Sequence, residues 1–157
     1  MIPERKHLRR LDSVWIPNPV YFITACTLGR TDRLANEDFH AIALEVWRNC
    51  ETLYGWAVGR YVLMPDHVHF FTCDARGERT LSYAVGRWKE WTAKYCAQRL
   101  GFAMPLWQPE FFDHVLRSSE NYGQKWDYVR DNPVRAGLVA AAEDWKFQGE
   151  IRDIRCD

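Results

Sequence analysis

His67 and His69 stand two residues apart in an apolar stretch running from Tyr61 to Phe70. On an extended chain that spacing sends both imidazoles from one face, with Val68 and Phe70 on the opposite, apolar face. Two neutral imidazoles on a rigid strand can share one divalent metal. Two ligands do not complete a site, so the pair also reads as ordinary polar residues on a solvated sheet face. A second constellation follows later. Lys125, Tyr128 and Asn132 step by three and four, the spacing of one helical stripe. Tyr122, Trp126 and Val129 form the buried stripe of that helix, with Tyr128 about 100° to one side. Pro133 biases Asn132 away from helical geometry, which sets Asn132 at the very end. Taken alone, these residues are a half-buried tyrosine at a helix edge and a helix stop.

The elements that must hold these residues are legible from alternation and capping signals. Pro65-Asp66 is a turn, since proline presets φ, and it joins strands at Trp56–Met64 and His67–Cys73 into a hairpin. Tyr21–Leu28 is the first strand, and residues 29–36 are a polar loop. Asn36 caps a helix in which Phe39, Ile42, Ala43, Val46, Trp47, Cys50 and Leu53 recur at helical spacing, ended by Gly55. Leu81, Ala84, Val85, Trp88, Trp91, Tyr95 and Cys96 form the stripe of a second helix, closed by Gly101 and Pro105. The spacing favours core over a base-stacking platform for its tryptophans. Trp107–Arg117 is a less regular strand, and Ser118 or Ser119 caps a third helix over Glu120–Asp131. This order predicts an α+β fold with an antiparallel, ferredoxin-like sheet and flanking helices.

Composition bounds the function. The chain has 157 residues, 47% hydrophobic and 15% aromatic, which excludes a disordered protein and predicts one domain. Within it, residues 1–14 read as a basic N-terminal arm and residues 146–157 as a C-terminal tail. Net charge is zero, which argues against nucleic acid until its distribution is examined. Arg5, Lys6, Arg9 and Arg10 cluster in the arm, and Arg87, Lys89 and Lys94 on the outer face of the second helix. Both groups are candidates for phosphate contacts, and both equally read as solvated charge. Five cysteines with no Cys-x-x-Cys pair exclude a zinc ribbon and argue against a disulfide framework. Without an apolar segment of membrane-spanning length, a reduced, cytoplasmic location is expected.

Three stretches in one order bring a family into view. They are Tyr61-Val-Leu-Met-Pro-Asp-His-Val-His69, Leu106-Trp-Gln-Pro-Glu-Phe-Phe-Asp-His-Val-Leu-Arg117 and Tyr128-Val-Arg-Asp-Asn-Pro-Val-Arg-Ala-Gly-Leu-Val139. Together the chain resembles the single-tyrosine transposases of the HUH superfamily, most closely the REP-associated tyrosine transposases of bacteria, over roughly residues 15–145. The resemblance implies a metal-dependent endonuclease and strand transferase acting on single-stranded hairpin (REP-like) DNA. It makes Tyr128 the nucleophile of a 5′-phosphotyrosine intermediate and His67 and His69 metal ligands, with Asn132 completing the coordination of Mg2+ or Mn2+. It also implies DNA recombination by transposition at the bacterial nucleoid, a monomer or a homodimer with the monomer favoured, and no membrane partner. Asp113-His114 matches a family motif whose role the residues do not reveal. The chain stops soon after the third motif, so a longer C-terminal DNA-binding extension is expected to be missing.

The residue types suit that chemistry. A phosphodiester repels nucleophiles until its charge is neutralised, and a phenol is weak until nearby charge favours the phenolate; the metal and Lys125, itself a candidate DNA contact, could supply that charge. The alternative is a domesticated protein that binds hairpin DNA without cutting it. A histidine-triad hydrolase would need a third histidine where Phe71 stands. A metal-dependent amidohydrolase needs a barrel of about 200 residues or more.

Overall fold

The computed structural model describes residues 19–155. Strand β1 (Val20–Cys26) leads into helix α1 (Glu37–Tyr54), then β2 (Trp56–Leu63) and β3 (His67–Asp74), helix α2 (Leu81–Leu100) and β4 (Phe112–Leu116). Helix α3 (Ser119–Arg130), the single turn α4 (Asn132–Arg135) and β5 (Gln148–Glu150) complete the chain. The strands form one antiparallel sheet in the order β4-β1-β3-β2-β5. The first four carry the ferredoxin-like arrangement predicted from the sequence, with β3 inserted between β1 and β2. The fifth lies in the segment expected as a tail: Gln148–Glu150 pairs with β2, so this part of the chain finishes a sheet edge.

Local signals start and stop the helices as expected. The Asn36 side chain accepts the Phe39 N–H, and Gly55 in the left-handed region (φ 78°) ends α1. Thr80 and Ser118 cap α2 and α3 in the same way, each accepting an N–H three residues on. Two boundaries differ from expectation. The strand expected over Trp107–Arg117 is regular only from Phe112, with Trp107 making one isolated bridge to Thr27. Asn132 does not end a helix; the chain bends at Asp131 and Asn132 opens a new turn, with Pro133 near its start, where a missing N–H costs nothing.

Both faces of the sheet are covered. On one, α1 and α2 pack over Ile23, Ala25, Val58, Tyr61, Val68 and Phe70, with the Trp47 and Trp88 rings stacked at 5.3 Å. Trp88 is core, whereas Trp91, expected on the same stripe, is 37% exposed. The second face carries Val20, Phe22, Val62, Phe71 and Leu116 beneath α3, which contributes Tyr122 and Val129. His67 and His69 project from this second face, so the polar, solvated surface expected around them is half covered.

An irregularity in β2 changes the phase of the alternation by which that strand serves both clusters. The register slips between Val58 and Tyr61, so Val58 and Tyr61 face the same core although their numbers differ in parity. Gly59 at this bulge is required by space: a Cβ there would lie 2.6 Å from Tyr122 Oη and 2.7 Å from Ile154. Tyr122 Oη accepts the Arg60 N–H at 3.3 Å, and the Arg60 guanidinium lies over the Tyr122 and Trp126 rings. The bulge thereby anchors α3 across the sheet.

Candidate active site

The hairpin fixes the histidine pair. Their ring centroids are 4.8 Å apart at an interplanar angle of 77°. His67 Nδ1 lies 2.8 Å from Asp66 Oδ1, while Arg30 Nε donates to Asp66 Oδ2 at 2.9 Å. A carboxylate only accepts, so His67 Nδ1 is the donor to Asp66, and it is Nε2 that the neutral ring would offer as a lone pair. Burial would raise the Asp66 carboxyl, but the hydrogen bonds from Arg30 and His67 outweigh it and hold that group below its ordinary range. His69 Nδ1 lies 2.8 Å from Thr24 Oγ1, which accepts the proton in the tautomer that frees Nε2. Burial pushes His69 down to about 3, assisted by His67, Lys125 and Arg135, so its ring is neutral at neutral pH.

Both outward nitrogens therefore suit a divalent cation, each ring oriented through its other nitrogen. Among the described residues no third His, Cys, Asp or Glu joins the pair. Zinc sites normally draw more nitrogen and sulfur ligands than this, whereas magnesium or manganese accepts oxygens from an amide, water and phosphate.

Helix α3 crosses the same face. Tyr122 and Val129 are 7% and 2% exposed and hold it down; Tyr128 is 61% exposed. Burial pushes the Tyr122 phenol up to about 12, which disfavours its nucleophilic form. Tyr128 is flanked by cations instead. Arg135 Cζ lies 4.0 Å above its ring centroid, and Lys125 Nζ lies 5.9 Å away. The same Lys125 Nζ is 4.7 Å over Phe22, whose ring stacks on His69 at 5.1 Å. This chain of contacts joins the tyrosine to the histidines, and Lys125 and Arg135 both act electrostatically on His69. The stripe of Lys125 and Tyr128 expected from the sequence is present. Asn132 joins it indirectly, its Oδ1 accepting from Arg135.

Arg135 escaped the sequence reading; it lies outside the α3 stripe, and only the turn at Asp131 folds it back onto Tyr128. The proposed phosphate-contacting residues of α2 lie elsewhere, on the helix layer of the opposite sheet face. Arg87 and Lys94 pair with Glu90, and Lys89 Nζ donates to the Gln108 and Glu110 carbonyls, fastening the loop before β4. Arg5, Lys6, Arg9 and Arg10 lie outside the described residues. His114 projects from the same face as His67 and His69, since it pairs with Phe22 across β1.

No family model matches the sequence. A REP-associated tyrosine transposase of Escherichia coli (strain K12) is 31% identical over 144 residues, which span 89% of this chain and 81% of the relative. The chain belongs to the REP-associated tyrosine transposase family. The solved structure of a REP-associated tyrosine transposase bound to a REP hairpin superposes with a TM-score of 0.74 at 22% identity. That match covers 88% of this chain and 81% of the other, and it establishes the same fold.

Proposed function

We propose that this protein is a transposase that binds hairpin DNA and cuts it as a metal-dependent, single-strand endonuclease and strand transferase, with Tyr128 as nucleophile. One observation carries the reading: an exposed tyrosine, bracketed by Lys125 and Arg135, stands on the sheet face that bears the oriented histidine pair. Family membership supports the transposase function, and the hairpin held by the solved relative supports the substrate.

His67 and His69 would hold Mg2+ or Mn2+ through Nε2, with the Asn132 amide oxygen as a further ligand once released from Arg135. When bound, the metal neutralises a non-bridging phosphate oxygen and polarises phosphorus. Tyr128 Oη attacks that phosphorus as the bond to the 3′-oxygen breaks. A phosphotyrosine remains on the 5′ end of one strand, and a free 3′-hydroxyl on the other. Lys125 and Arg135 stabilise the negative charge that develops on the phenol oxygen. The covalent bond conserves the energy of the cut, so rejoining needs no nucleotide.

Incubation with single-stranded hairpin DNA and manganese should give a covalent protein–DNA adduct on a denaturing gel. Chelator should abolish the adduct, and manganese in excess should restore it. Hairpin binding without any adduct would leave only the binding function, and a full yield of adduct in chelator would remove the metal.

A further inference from the structure

Helices α1 and α2 lie antiparallel over the sheet face opposite the histidines, with the end of α1 (Tyr54) meeting the start of α2 (Tyr83). Between them a groove of about 210 Å³ opens on the outer side. Val46 and Cys50 are buried at its floor, and Leu53, Tyr54, Trp91 and Tyr95 form its walls. Leu53 is 59% exposed, and Tyr83 and Trp91 are exposed on the same surface. Large apolar side chains scattered singly are ordinary, but grouped ones mark an interaction surface.

The rim has one dominant sign. Arg79 Cζ and Arg87 Cζ lie 4.7 and 5.5 Å from the Tyr83 ring centroid. Lys94 Nζ lies 4.8 Å from the Trp91 centroid, and Arg99 Cζ 4.2 Å from that of Tyr95. Two carboxylates answer these four cations: Glu90 pairs with Arg87 and Lys94, and Glu45 with Arg99. That leaves an excess of two positive charges around an apolar, aromatic groove. Tryptophan, tyrosine and arginine are also the residues enriched where proteins bind one another most tightly.

Charge and shape select the occupant. A base-stacking platform offers open ring faces, whereas cations already lie over all three of these rings, and Glu90 would repel a phosphate. A second copy turned onto the groove would set the same positive excess against itself. The N-terminal arm, with Arg5, Lys6, Arg9 and Arg10, carries that sign too. A volume below the roughly 300–1,000 Å³ of small-ligand sites holds one or two side chains and not a cofactor. From the Glu45–Arg99 pair to the Tyr54–Tyr83 contact the groove follows α1 for about 14 Å, enough for an i, i+4, i+7 stripe of a docked helix.

We propose that the outer α1–α2 groove docks an acidic amphipathic helix of a partner protein. Its apolar anchor enters between Leu53 and Trp91, and its carboxylates meet Arg79, Arg87 and Lys94. Docking there leaves the face that bears Tyr128 open, so the site is independent of the cutting function.

Fluorescence anisotropy on the full-length protein tests this with three labelled synthetic helical peptides. The first carries leucines at i, i+4 and i+7 flanked by glutamates; the second has lysines for the glutamates, and the third serines for the leucines. The first should bind with micromolar affinity, and the other two at least about tenfold more weakly. Leu53→Ser and Lys94→Glu, both at side chains open to solvent, should each weaken the first peptide about tenfold. Lys94→Glu should also narrow the gap between the first and second peptides. Hairpin DNA binding and adduct yield should change less than about twofold in either variant. No binding of the first peptide, or equal binding of all three, overturns the docking site. Loss of hairpin binding from Lys94→Glu would make this a nucleic-acid surface instead. A dimer seen by sedimentation that Leu53→Ser dissolves would make it a contact between copies, and either result overturns the proposal as well.

Discussion

Removing one oxygen from either tyrosine of α3 should separate chemistry from stability. Tyr128 is 61% exposed, and among the described residues its hydroxyl makes no hydrogen bond. Phenylalanine keeps a ring beneath the Arg135 guanidinium, so Tyr128→Phe should change stability by under about 0.5 kcal/mol. Tyr122 Oη is buried and accepts the Arg60 N–H at 3.3 Å. Its loss strands a backbone donor in the bulge, a cost of about 1–2 kcal/mol. The activities should run the other way: Tyr128→Phe forms no adduct while retaining hairpin binding, and Tyr122→Phe still cuts. Urea unfolding gives the stabilities, and a denaturing gel with end-labelled hairpin DNA gives the adducts. Adduct from Tyr128→Phe but none from Tyr122→Phe would refute both the helix geometry and the nucleophile. Normal cutting by both would mean a different nucleophile altogether.

Gly59→Ala drives a methyl group into Tyr122 Oη and Ile154, so it should lower stability by about 1–3 kcal/mol and reduce adduct yield by loosening α3. Unchanged unfolding and cutting would show that the bulge does not anchor the helix. Asp66→Ala removes the acceptor of the His67 Nδ1 proton; manganese affinity measured by calorimetry should fall about 10–100-fold, and an unchanged affinity would reject the orienting role. Burial lowers His40, and it lowers His69 to about 3, whereas an unperturbed histidine titrates at 6.5. Below that value the unfolded chain takes up protons that the fold refuses, so stability should be full above about pH 6.5 and fall toward pH 3. The slope approaches about 1.4 kcal/mol per pH unit for one such site. Metal-free protein should therefore show a lower urea midpoint at pH 5.5 than at pH 7.5; a higher one would contradict burial of these rings.

The sequence by itself determined much of this protein. Alternation, capping residues and helical spacing are local, and they placed the hairpin, the helices and the outward direction of the histidine pair. The same locality separated Tyr122, on the packed stripe, from Tyr128 beside it. Where local rules meet neighbours, the tertiary structure decided. The register slip at Gly59 brings Val58 and Tyr61 to one core against the parity of their numbers, and only Tyr122 and Ile154, packed from distant sequence, show why a glycine stands there. Gln148–Glu150 became a strand because the edge of β2 had open backbone partners, not through any strong pattern of its own. Trp91 lies on the apolar stripe of α2 yet stays exposed, since helical period fixes a direction and not the extent of the partner. Arg135 reached Tyr128 only because the chain turns at Asp131.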